Sequence, residues 1–315
     1  MSAYRALAPA KVNLGLFVGA RRAGDGRHEL VTVMQSISLA DELTLAPAPP
    51  GALADELICA GVPGPPEENL AARALACFRR ETGWQGAPQR LQIVKRIPVA
   101  AGLGGGSADA AAALRLAREA SGLGDEALLA AIAVELGADV PAQIAPGRWL
   151  ATGAGERLRP LPAPRAPIGV LVLPLAYKLS TAAVYAESDR LEVQRERREL
   201  DALAVELAAA LGHGAPLPAA SELLHNDLQR AAVSLCPQIA EALGEARAAG
   251  AELALVSGSG PTALGLFPRA GESSSDGPAL ALHAARALAG RVPGAVAAVP
   301  VAEDYGRAGV LAGSS

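Results

Sequence analysis

The chain has 315 residues, more than one domain of roughly 100 to 200 residues requires and enough to bury a substantial core. Hydrophobic residues make up 51% and charged residues 19%, which excludes an intrinsically disordered chain. The net charge of −4 gives no global basic field to attract nucleic acid or an anionic membrane, so neither is expected as a partner and any anion must be captured locally.

No apolar run reaches the ~20 residues of a spanning helix. The opening MSAYRALAPAK lacks an apolar signal core, and Cys59, Cys77 and Cys236 form an odd set without CxxC spacing. A cytoplasmic chain with unpaired thiols is expected. The basic residues are almost all arginine: lysine survives only at Lys11, Lys95 and Lys178, and asparagine only at Asn13, Asn69 and Asn226. Lys11 and Asn13 stand together and Lys95 precedes a glycine run, which makes them candidates for ammonium and carboxamide chemistry.

In chain order, residues 7–18 alternate apolar and small side chains and predict a strand; RRAGDGRHEL is turn-rich, and VTVMQSISL and DELTL predict further strands. After the proline-rich APAPPGA, the spacing from Asn69 to Thr82 predicts a helix stopped by Gly83. LQIVKRIP predicts a short strand running into GLGGGSADAAAALRLAREASG, where glycines and a serine open an alanine-rich helix; residues 123–136 predict another, ended by Gly137. PLPAPRAP marks a composition shift, placing a domain divide near Pro160, with domains 1–160 and 161–315. Beyond it come the strand IGVLVLP, helices around VQRERRELDALAVELAAAL and PQIAEALGEARAAG separated by the loop GHGAPLP, then strand, glycine turn and strand in ELALVSGSGPTALGLF. PRAGESSSDGP reads as a solvated loop, and a closing helix and strand end in an AGSS tail. Strands and helices alternate without the period of a parallel βαβ sheet, so the fold class is α+β in two lobes.

Strand, glycine run and helix together present several backbone N–H groups and a positive helix end to one anion. PVAAGLGGGSA fits, but it is no Walker loop, because Gly106 stands where the lysine before the serine should be, nor a dinucleotide fingerprint. The plain alternative is a turn for tight helix packing. Ser107 could cap the helix, ligate a metal, or both. GADVP holds Asp139 between Gly137 and Pro141, where many aspartates only satisfy backbone donors. SGSGP at 257–261 is a second glycine-serine turn, either a plain hairpin or half of a clasp around one polyanion.

APAKVNLGLFVGARRAGDGRHEL, PVAAGLGGGSADAA, GADVP and SGSGPTALGLF, supported by ENLAARA, TGAGERLRPL, LSTAAVY and HNDLQ, resemble in order and spacing the GHMP kinase superfamily. Within it they resemble the branch that phosphorylates 4-diphosphocytidyl-2-C-methyl-D-erythritol, and the match covers nearly the whole chain. The resemblance implies an N-terminal lobe like ribosomal protein S5 domain 2, a ferredoxin-like C-terminal lobe, and transfer of the γ-phosphoryl of ATP to a tertiary 2-hydroxyl in the non-mevalonate isoprenoid precursor route. It implies Asp139 as general base with Lys11 as its cationic partner. ATP would lie along Pro98, Val99, Ala100, Ala101, Gly102, Leu103, Gly104, Gly105, Gly106, Ser107 and Ala108, with Asn69 and Lys95 alongside and Mg²⁺ touching Ser107. The substrate would meet Asn13, Arg27, His28, Thr181 and Tyr185.

The family usually carries an aromatic residue where DGRHEL has Arg27; a guanidinium can also stack on cytosine, with Tyr185 opposite and His28 reading the base. Ala142 and Gln143 also depart from the bulkier apolar residues common after GADVP. A kinase of homoserine, mevalonate or a sugar, and a non-catalytic nucleotide-binding relative, are the competing expectations. The assembly expected is a monomer or weak homodimer.

Overall fold

The computed structural model describes residues 2–166, 168–214, 217, 222–268 and 276–311. Most of the serine-rich segment, residues 269–275, the AGSS tail and part of the GHGAPLP loop lie outside the described residues.

Two sheets carry the chain. The first has seven strands: β1 (Tyr4–Arg21), β2 (His28–Pro47), β3 (Glu56–Cys59), β4 (Gln89–Val94), β5 (Arg148–Gly153), β6 (Arg157–Leu161) and the returning β11 (Gly309–Val310). All neighbours in it are antiparallel except β3 with β4. Its helices are α1 (Leu70–Thr82), α2 (Gly105–Ser121), α3 (Glu126–Leu136) and the short α4 (Val140–Ile144). The second sheet comprises β7 (Gly169–Leu173), β8 (Leu253–Val256), β9 (Ala263–Phe267) and β10 (Val296–Ala298) in the order β10-β7-β9-β8. With α8 (Gln238–Ala248) between β7 and β8 and α9 (Gly277–Leu288) before β10, this is a βαββαβ unit of the ferredoxin-like kind. Between β7 and α8 the chain inserts α5 (Thr181–Arg190), α6 (Arg197–Ala210) and α7 (Gln229–Leu235).

Local signals placed α1 and α2. Asn69 caps α1 by accepting from the Ala71 N–H at 2.9 Å, and Gly83 closes it in the left-handed region at φ 65°. The third predicted helix begins at 126 rather than 123, because Asp125 caps it through the Leu128 N–H. VTVMQSISL and DELTL, expected as separate strands, form the single strand β2; Ala40 joins them, and Asp41, the first residue of DELTL, meets Lys95 just past the end of the neighbouring β4. The β5–β6 hairpin, α5 and α7 went unread.

β1 is buried on both faces from Ala8 to Val18 and passes through three apolar clusters. Ala6 and Ala8 pack against the alanine face of α2, where side chains no larger than a methyl let helix and sheet approach closely. Ala10, Val12 and Leu14 join a cluster with Val170 and Val172 of the second sheet, and Leu16 and Val18 join Ala231 and Ile239. Register shifts between Pro9 and Lys11 and between Asn13 and Gly15 bracket the two polar residues of this strand.

Arg115 of α2 ties these layers together. Its Nη2 donates to the Leu7 carbonyl at 2.9 Å, Nη1 to Gln143 O at 2.6 Å, and Nε to Gly306 O at 2.9 Å. Burial brings the guanidinium pKa down to about 10. Arg115→Ala leaves those carbonyls without a donor and is expected to cost on the order of 3 kcal/mol. The check is a lower urea midpoint at unchanged slope.

Candidate functional site

The glycine run connects β4 to α2. Lys95, at its entry, points inward: Nζ contacts the Asp41 carboxylate and donates to Asp109 Oδ2 at 2.7 Å. Asp41 Oδ1 also accepts from the Ile97 N–H at 2.8 Å and from that of Arg96. Burial works against the ammonium, but Asp109 and Asp41 outweigh it and hold the Lys95 pKa above its ordinary value. Two carboxylates share one ammonium, and burial pushes Asp109 up to about 7 against the pull of Lys95. Neither aspartate carried a sequence signal, since their partner is 14 or 54 residues away.

Above this cluster a cavity of about 550 Å³ is lined by Asn69, Lys95, every residue from Pro98 to Ser107, and Asp109. Ala108 is not in its wall; it is buried against α1 in the core. The N-cap of α2 is Gly104, in the left-handed region at φ 68°, so the expectation that Ser107 caps the helix is corrected: Ser107 is its third residue. The first helical bond closes at the Ala108 N–H, leaving those of Gly105, Gly106 and Ser107 at the cavity end of a 17-residue helix. The Ser107 hydroxyl makes no hydrogen bond among the described residues.

SGSGP is no plain hairpin. Its turn, closed by the Gly260 N–H to Ser257 O bond, lies against the glycine run: Thr262 Oγ1 donates to Ala101 O at 2.7 Å, and a Cβ on Gly102 would fall 2.5 Å from Gly260 O. The two turns meet back to back, so the second buttresses the first and faces a different cavity. Asn226, unassigned in the sequence beyond its rarity, fixes the turn by donating to Val256 O and Gly258 O, each at 2.8 Å.

That second cavity, about 190 Å³, is lined by Lys11, Asn13, Thr32, Asp139, Thr181, Tyr185, Gly258 and Ser259, and shares Gly102 and Gly104 with the first. Lys11 Nζ is 3.5 Å from Asp139 Oδ2 and donates to Asn13 Oδ1 at 2.9 Å. Asn13 Nδ2 in turn donates to Thr32 Oγ1 at 2.8 Å, which settles the orientation of the amide. Lys11 and Asn13 are buried, whereas the Asp139 side chain is 41% exposed and, although Asp139 is the N-cap residue of α4, accepts no capping hydrogen bond. Gln143 is buried and donates to Pro9 O at 3.3 Å.

A third cavity, about 590 Å³, continues outward past Arg27, His28, Ser107, Asp139, Thr181 and Tyr185. His28 is buried; its Nδ1–H donates to Gly19 O at 2.8 Å, leaving Nε2 without a hydrogen bond, 3.3 Å from Asp189 Oδ1. Its ring packs on Tyr185, with centroids 5.0 Å apart. Burial, reinforced by Asp139 and opposed by Arg27, pushes the Tyr185 phenol up to about 12. Arg27 is exposed and donates to Ala154 O at 2.6 Å. Thr181 Oγ1 is 3.0 Å from Ser259 Oγ, joining α5 to the SGSGP turn. Every residue to which the resemblance gave a site role, except Ala108, lines one of these three adjoining cavities.

Family models for the GHMP kinase N-terminal and C-terminal domains match residues 69–147 and 205–291. A 4-diphosphocytidyl-2-C-methyl-D-erythritol kinase of Anaeromyxobacter sp. (strain K) is 42% identical over 94% of this chain and 88% of its own length. That of Nocardia farcinica is 42% identical over 91% of this chain and 94% of its own. The chain belongs to the 4-diphosphocytidyl-2-C-methyl-D-erythritol kinase family of GHMP kinases. A crystal structure of 4-(cytidine 5'-diphospho)-2C-methyl-D-erythritol kinase superposes with a TM-score of 0.73 at 36% identity, covering 94% of this chain and 99% of that one. A homoserine kinase from Cytophaga hutchinsonii superposes at 0.70 with 16% identity over 99% of this chain and 98% of that one, which shows the shared fold. Among the described residues no helix is long and apolar enough to cross a membrane.

Two left-handed glycines separate backbone strain from crowding. A Cβ on Gly104 would lie 2.9 Å from Lys11 Cγ, whereas one on Gly83 meets nothing within 4 Å. Both alanine variants are expected to lose ~1–2 kcal/mol for the left-handed conformation. Only Gly104→Ala should also lower turnover per folded molecule, measured as ADP release normalised to the folded fraction.

Proposed function

We propose that this kinase transfers the γ-phosphoryl group of ATP to the 2-hydroxyl of 4-diphosphocytidyl-2-C-methyl-D-erythritol, a step in the non-mevalonate route to isoprenoid precursors. The observation that carries the residue assignment is the Lys11–Asp139 pair, 3.5 Å apart, in a cavity that shares two glycines with the wall of the glycine-loop cavity. ATP occupies the larger cavity, its phosphates against the free N–H groups of Gly105, Gly106 and Ser107, where the α2 dipole favours negative charge. Asn69 and the residues from Pro98 onward flank the nucleotide, and Lys95 acts from beneath by fixing the loop.

A tertiary alkoxide is costly to form in water, so a carboxylate has to accept the hydroxyl proton as the new O–P bond forms. Asp139 is that base. Lys11 pairs with it and neutralises charge growing on the transferring oxygens, and Asn13, held by Thr32, orients the hydroxyl. His28, Tyr185, Thr181 and Arg27 hold the cytidine diphosphate part in the outer cavity.

The described residues contain no cluster of three metal-ligating side chains, which suits Mg²⁺ carried in mainly by phosphate oxygens and water. On this reading the Ser107 hydroxyl, unengaged among the described residues, would meet it. Bound there, Mg²⁺ would supply charge neutralisation across the phosphates.

The test is ADP release with the cytidine substrate against homoserine and mevalonate. Turnover confined to the cytidine substrate is expected, and turnover of either rival at a similar kcat/KM rejects the assignment. Asp139→Asn should lower kcat by on the order of 10² to 10⁴ with ATP affinity nearly unchanged, since the amide keeps the shape but cannot take the proton. Lys11→Ala should lower kcat by at least about 10² while shifting the ATP dissociation constant only a few-fold. Single-turnover kinetics and calorimetry on the same preparations separate the two effects.

A further inference from the structure

Two cations line the outer cavity, Arg21 and Arg27. Arg21 is committed, with Nη2 2.7 Å from Asp189 Oδ2. Arg27 is not: among the described residues no carboxylate oxygen lies within 4.0 Å of its guanidinium, and its single side-chain bond runs to a neutral acceptor, the Ala154 carbonyl. Ala154 lines both the outer cavity and the one holding Lys11 and Asp139, so this bond fixes the guanidinium at the passage between them. One edge of the fork is used in anchoring, and the remaining N–H donors are free for a ligand. Arg27 and Asp139 both act on the Tyr185 phenol, with opposite sign, which places a positive and a negative group around the same ring.

The aromatic contact to a base is already supplied elsewhere. His28 and Tyr185 pack as one corner, both buried or nearly so, and Arg27 stacks on no ring among the described residues. A ligand with its base at that corner and its reacting hydroxyl at Asp139 carries its diphosphate through the passage. Two negative charges entering a cleft that already holds the Asp139 carboxylate require an unspent cation, and a planar guanidinium matches phosphate oxygens with paired bonds.

We propose that Arg27 binds the diphosphate of a cytidine diphosphate ligand rather than its base, and so sets the preference of this cleft for the nucleoside diphosphate over the nucleoside. The inference rests on the function proposed above and names the part of the substrate that the departure from the family's aromatic residue addresses.

Calorimetric titration of cytidine and of CDP into the full chain, with the nucleotide cavity filled by a non-hydrolysable ATP analogue, tests it without turnover. Arg27→Gln is expected to weaken CDP on the order of tenfold and to leave cytidine within about twofold. Arg27→Tyr should leave CDP as weak as the glutamine variant does. In the unmodified protein the advantage of CDP over cytidine should shrink as salt rises from about 0.05 to about 0.5 M. Equal weakening of both ligands in Arg27→Gln, with recovery of both in Arg27→Tyr, overturns the proposal in favour of stacking on the base. CDP binding that is unchanged in Arg27→Gln overturns it outright while leaving the kinase assignment standing. An unmodified protein that binds neither ligand overturns both.

Discussion

The glycine loop depends on a buried knot of charge. Lys95 stands just before the run and Asp109 just after its end, and they are bound to each other and to Asp41 on β2. Asp41 also holds the backbone at Arg96 and Ile97. A run rich in glycine loses much backbone entropy on ordering, and tying its two ends to one point removes part of that cost from the loop itself. Breaking the knot by deleting one member would strand charge in a region where unpaired charge is strongly disfavoured. The floor of the glycine-loop cavity is therefore also the anchor of its wall.

From that anchor the remaining parts are placed by close backbone approach. Gly102 accepts the SGSGP turn at a distance no side chain would allow, and the Lys11 N–H reaches Leu103 O at 2.9 Å. Arg115 reaches from α2 to β1, to the end of α4 and to the returning C-terminal segment. Lys11, Asp139 and the glycine loop thus hang on elements bolted to one helix, although they are spread over more than a hundred residues of chain. β1 can carry a lysine and an asparagine through the interior because each finds its partner on the spot, Lys11 in Asn13 and Asp139, Asn13 in Thr32.

What could be read in advance follows the range of the interaction. Asn69 and Gly83 announce α1 because capping is settled within a few residues. Of the six rare lysines and asparagines, Lys11, Asn13, Asn69 and Lys95 line the cavities and Asn226 holds the SGSGP turn, whereas Lys178 lines none of the three. Asp41 stood without a role inside a predicted strand, since nothing nearby in sequence reveals a lysine on a neighbouring strand's end. Asp109 sat unnoticed among alanines for the same reason. Ser107 invited a capping role by its residue type, but the left-handed Gly104 begins the helix three residues earlier and frees the hydroxyl. Ala108 belongs to the motif by sequence and to the core by packing, because the helix has already turned it inward.

The shared walls of the cavities have a kinetic meaning. Gly102 and Gly104 face the first and second cavities, and Ser107 faces the first and third. On the proposed reading, a phosphoryl group leaving the nucleotide is already at the door of the acceptor, with no gap for a side chain to ferry it across. Such an arrangement calls for donor and acceptor to be bound together in a ternary complex, with inversion at phosphorus and no phosphorylated form of the enzyme in between. Initial-velocity lines for the two substrates would then intersect rather than run parallel, a signature written into the partition between the cavities.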